Sequence, residues 1–134
     1  MKCAHLRRAL ETLSRQVGYT PYSGAEQQLS GVVKEYPAAW LNTPKFRSIE
    51  GRLHGRVSYD VTMHLMHLAK RETNSETTAR LDEMETQMVR IFSELSRYDH
   101  IVVIEGLEIK SSQLSLSNHG VISQTATAKV ILTF

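Results

Sequence analysis

The chain has 134 residues, 41% of them hydrophobic and 22% charged, with a formal net charge of +2. That length carries a core without disulfide or metal staples, and the composition excludes an intrinsically disordered chain. The small surplus of positive charge excludes the dense basic field of a dedicated phosphate binder, and the single Cys3 excludes an internal disulfide and fits a reducing, cytoplasmic setting.

Leu6, Ala9, Leu10, Leu13 and Val17 recur at helical spacing, and Gly18 follows where a left-handed cap is wanted, which predicts a first helix from Ala4 to Val17. Arg7, Arg8, Glu11 and Arg15 interrupt the apolar run that a secretory signal needs, and the regular core-facing stripe favours a folded helix over a mitochondrial transit peptide. No run approaches the roughly 20 apolar residues that span a bilayer, so a soluble protein with no membrane partner is expected. Tyr19 to Gly24, with Pro21, Ser23 and Gly24, reads as turn chemistry. Leu29, Val32 and Val33 line one side of a short second helix stopped near Pro37. Ala38 to Leu41, bounded by Pro37 and by Asn42-Thr43-Pro44, has the size of a buried strand and is read as the first of the sheet.

Lys45 to Leu53, with Gly51 and Gly55 beyond, is expected to form a hairpin arm ahead of a longer strand. From Arg56 the alternation is regular: Val57, Tyr59, Val61, Met63 and Leu65 share one face, and Ser58, Asp60, Thr62 and His64 the other. The polar face turns apolar at Met66 and Leu68, so the far end is expected to pass under structure on both sides. Thr73-Asn74-Ser75-Glu76 matches a capping box, and Leu81, Met84, Met88, Ile91 and Leu95 mark the stripe of a major helix running to Arg97, with Ala79, Phe92 and Tyr98 beside it. Ile101 to Ile109 reads as a strand irregular at Gly106, Leu114 to Leu116 as its continuation or neighbour, and Asn118-His119-Gly120 as a turn. Ala126, Ala128, Val130, Leu132 and Phe134 alternate with Thr125, Thr127, Lys129, Ile131 and Thr133, so the tail is expected to end inside the sheet. With no internal repeat, the order predicts one α+β domain over 1–134: an antiparallel or mixed β-sheet with the long helix and the N-terminal helix or helices packed on it.

The candidate chemistry is sparse. His64 and His67 fall on opposite faces of a strand and cannot chelate one ion, and His5, His54, His100 and His119 have no partner at a ligand spacing. No Gly-x-Ser-x-Gly turn is present, Cys3 is a terminal thiol, and Gly51 and Gly55 lack the residues of a phosphate loop. No catalytic residue, metal or cofactor is therefore predicted, and binding or assembly is favoured over catalysis. Charge is more informative: Lys45, Arg47, Arg52 and Arg56 face only Glu50 in the hairpin segment, while Glu76, Asp82, Glu83 and Glu85 lie on the solvated side of the long helix. Two opposite patches on one chain are candidate contacts between neighbouring subunits, and a basic arm touching DNA phosphate is another reading.

The basic helix Leu6-Arg7-Arg8-Ala9-Leu10, the short strand before Asn42-Thr43-Pro44 and the long strand Tyr59-Asp60-Val61-Thr62-Met63-His64-Leu65, with the helix and closing hairpin after them, resemble the small tail-terminator (tail-completion) proteins of long-tailed bacteriophages and prophages. The resemblance lies in element order over nearly the whole chain, and related head-tail connector proteins share the outline. It implies a homo-oligomeric ring, usually a hexamer, that caps the tail tube and joins it to the head. The partners so implied are tail-tube and connector proteins, with DNA passing through the ring lumen. The location so implied is the virion, and the host cytoplasm during assembly. It carries over no catalytic residue. The rival classes are a small hydrolase or nuclease and a standalone nucleic-acid-binding module.

Overall fold

The computed structural model describes residues 2–51, 55–68, 74–112 and 120–133. Helix α1 (Lys2–Gln16) forms on its predicted stripe, with Leu6, Leu10 and Leu13 buried and Arg7, Arg8 and Arg15 in solvent. Its end is a Schellman cap: the Gly18 amide donates to the Arg15 carbonyl at 3.0 Å and the Tyr19 amide to the Ser14 carbonyl at 3.0 Å. Gly18 takes φ 93° there, a conformation that favours glycine.

The expected turn at Tyr19 to Gly24 is instead a strand, β1 (Thr20–Gly24), paired in parallel with β2 (Ala38–Asn42). Pro21 is tolerated because β1 is a terminal strand, where a missing amide can face outward. Gly24 takes φ 150°, a backbone conformation that favours glycine; a Cβ there would also meet Gln28 Oε1 at 2.8 Å, the end of a side chain that can move. The predicted short strand is therefore the second of the sheet, not the first. A 3-10 turn (Glu26–Gln28) leads into α2 (Leu29–Val32), the short second helix.

Strands β3 (Lys45–Glu50) and β4 (Arg56–Leu68) form the expected hairpin, and α3 (Asn74–Leu95), β5 (Ile101–Ser112) and β6 (Val121–Thr133) complete the chain. Gly106 sits at φ 64° where the β5–β6 register shifts between Glu105 and Glu108, the irregularity read from the sequence. Arg52, Leu53, His54, Thr73 of the capping box, Leu114 to Leu116, Asn118, His119 and Phe134 lie outside the described residues.

The fold is α+β. Its six-stranded mixed sheet has the order β1-β2-β4-β6-β5, with β3 on β4 beside β2's end of the same edge. β4 and β6 pair antiparallel from Arg56↔Thr133 to Leu68↔Val121, making the long axis of the sheet. Helices α1 and α3 cover one face. Leu6, Leu10, Met84, Met88, Ile91 and Leu95 meet Val57, Val61, Met63, Leu65, Val130 and Leu132 there in the main core. Ala79 and Tyr98, read beside that stripe, are exposed.

A smaller core lies on the opposite face, where Leu29 and Val33 pack on Ala38, Trp40, Met66 and Val121. Met66 is thus covered as its sequence position foretold, whereas Leu68 is 45% exposed. Among the described residues, no helix packs on the rest of this face, from Thr62 toward Arg56 on β4 and from Thr127 toward Thr133 on β6.

Candidate functional site

The uncovered half of the sheet is polar because strand alternation sends one side chain in two away from the helices. Asp60, Thr62, Thr127 and Lys129 stand on it, and cross-strand pairs tie it together: Arg47 donates to Asp60 at 3.0 Å, and Lys129 lies 3.7 Å from Glu105. Two shallow depressions share Asp60 and Thr62. One, of about 440 Å³, runs between Arg47 and Lys129; the other, of about 300 Å³, lies between Glu26, Asn42 and Lys45. Of its cations, Arg47 and Lys129 each lie beside a carboxylate, Asp60 and Glu105, which offsets their charge.

The two central histidines lie on opposite faces, as strand geometry requires. His64, 5% exposed, points to the α2 side, where Nδ1 is 2.7 Å from Thr125 Oγ1 and Nε2 is 3.0 Å from Glu26 Oε1. Burial lowers its pKa, while the Glu26 carboxylate works in the opposite direction. A neutral ring satisfies both contacts with its proton on Nε2, donating to Glu26 and accepting from the Thr125 hydroxyl.

His67 points to the helix side, where its Nε2 meets Tyr19 Oη at 3.0 Å and Arg80 approaches its Nδ1 at 3.4 Å. Tyr19 also donates to Gln87, and burial together with the nearby Glu83 carboxylate raises the phenol's pKa well above its ordinary value. This network joins the end of α1, the far end of β4 and the middle of α3. Its contacts make it a polar clamp between these elements. Among the described residues no three His, Cys, Asp or Glu side chains gather as a metal-binding group, and no helix is long and apolar enough to cross a membrane.

The charged residues singled out in the sequence are all at the surface where they are described. Lys45, Arg47 and Arg56 are exposed on the β3–β4 hairpin; Glu76, Asp82, Glu83 and Glu85 are exposed along α3, in the helix layer. Arg47 is engaged by Asp60, and Glu83 accepts a 3.5 Å bond from Gln87.

The sequence reading missed an apolar component at the margins of the sheet. Between α3 and the terminal strand β5, Val89, Phe92, Val102, Val103 and Leu107 line a groove of about 370 Å³, with Val89 47% and Val103 38% exposed. On β3, Phe46 is 60% and Ile49 58% exposed. In sequence these residues are indistinguishable from core. The one available signal was the spacing of Phe46 and Ile49, which is out of phase with a regular strand; the structure resolves it with a register shift between Phe46 and Ser48. Neither a family model nor a curated protein matches this chain.

Proposed function

We propose that the chain is a structural, self-assembling subunit of a long-tailed bacteriophage or prophage. In this reading it is a tail-terminator or tail-completion protein that closes into a ring, caps the tail tube and joins it to the head. Its partners are then copies of itself, tail-tube and connector proteins, with DNA passing through the ring. The observation that carries the reading is the apolar groove beside β5. A terminal strand with exposed Val102, Val103 and Leu107 next to Val89 invites another strand, and a chain that functions alone ordinarily covers or charges such an edge.

Two further features support it. The two long helices share one face and α2 covers only one end of the other, so the sheet keeps a polar platform, and His64 and His67 are engaged in contacts between elements. Element order adds the resemblance described above. The test is sedimentation and electron microscopy of the purified chain, alone and with isolated tail-tube ends. Closed rings in either condition are expected; a chain that stays monomeric in both overturns the proposal.

A further inference from the structure

The two apolar margins sit at opposite ends of one sheet, β3 beyond β4 and β5 beyond β6. We propose that β3 of one copy adds to the free edge of β5 in the next, with Phe46 and Ile49 entering the groove beneath α3. This rests on the assembly reading above and names its contact.

The geometry of the faces makes the match. Phe46 and Ile49 are in register with Tyr59 and Val57, whose buried side chains belong to the helix-covered core. The register shift after Phe46 puts both apolar side chains in phase on that same face, and Phe46 already stacks edge-on against Tyr59 at 6.2 Å between ring centres. The groove is also on the helix side, since α3 supplies Val89 and Phe92 to its wall. A strand laid beside β5 in the plane of the sheet therefore delivers these side chains to the underside of α3. Among the described residues each strand has a partner on one edge only, β4 for β3 and β6 for β5, so main-chain groups are left to form the new ladder.

Charge selects the partner. Lys45 lies beside Phe46, whereas the α3 row leading to Val89 begins with Asp82 and Glu85, and Glu108 follows Leu107. A second copy brings Lys45 toward these acids. Contact between two different surfaces is heterologous, the kind that repeats around an axis and closes as a ring.

The test uses one-sided variants of the full chain. Phe46→Asp spoils the β3 margin and keeps the groove, while Val89→Arg spoils the α3 wall of the groove and keeps β3. Both sites are exposed, so circular dichroism and thermal midpoints should match wild type. Each variant alone should self-associate about tenfold or more weaker, the weight of an anchor residue. Mixed in equal amounts they retain one intact contact and should form a heterodimer that grows no further. Wild-type association that is unchanged in either variant, or a mixture that yields no heterodimer, overturns this contact and leaves the assembly reading standing. A wild-type chain that never associates, alone or with tail-tube ends, removes both.

Discussion

His64 occupies the boundary between the polar platform and the smaller core, and its surroundings set opposing influences on its charge. Burial disfavours the imidazolium and dominates, so the folded pKa lies below the ordinary value of 6.5 despite the Glu26 carboxylate 3.0 Å away. The unfolded chain then binds more protons than the folded one between the two pKa values. Stability from this site is fully present above the unfolded value and is lost as pH falls through 6.5 toward the folded one. One proton bounds the slope at about 1.4 kcal/mol per pH unit. Urea unfolding followed from neutral to mildly acidic pH should show this loss, and His64→Gln should reduce it, since glutamine can donate to Glu26 and accept from Thr125 without titrating. Glu26→Gln should enlarge the loss, because it removes the influence that raises the pKa. A wild-type stability that rises on acidification, with the rise abolished in His64→Gln, would show that the carboxylate outweighs burial.

At the scale of elements, the short α2 is attached to the sheet by few residues. Leu29 and Val33 are its buried contacts, and they pack on Trp40, the sole tryptophan, which is itself fully buried. A helix of four residues has no stability of its own, so its position depends on that small core. Leu29→Ala should cost about 2–5 kcal/mol, the range for a large-to-small change at a buried site. It should also shift Trp40 emission to the red at denaturant concentrations below the main transition; emission that stays blue until global unfolding would show that α2 is not a separately opening unit.

The same elements explain what the sequence disclosed. Strand β4 was legible because period-two alternation ran from Val57 to Leu65, and its change of character at Met66 foretold cover on the second face. Strand β1 was illegible because Pro21, Ser23 and Gly24 carry turn chemistry locally, while parallel pairing with β2 is a distant interaction that overrides it. The charged candidates were legible as surface. Phe46, Val103 and Leu107 were not, since an apolar strand residue is buried or bare according to the strand order, and that order is a property of the whole chain.

For the whole molecule, the sheet is graded from a doubly paired centre to singly paired margins. β4 is bonded by β6 on one side and by β2 and β3 on the other, under the main core, whereas β5 has β6 alone and carries two register irregularities. Local opening follows such differences, so in the dissociated chain the amides of β4 should exchange with solvent slowest and the outward amides of β5 much faster. Assembly by strand addition changes one part of this gradient. The outward amides of β5 and of β3 gain carbonyl partners at the new ladder, while β1, at a margin the contact does not use, gains none. Hydrogen exchange compared between concentrations below and above the onset of association should therefore slow in β3 and β5 together and leave β1 unchanged. Joint slowing separates strand addition from docking through the polar platform, which would cover Thr62, Thr127 and Lys129 without supplying partners to edge amides. If assembly proceeds while the β3 and β5 amides keep their dissociated-state rates, the sheet does not continue from one subunit into the next.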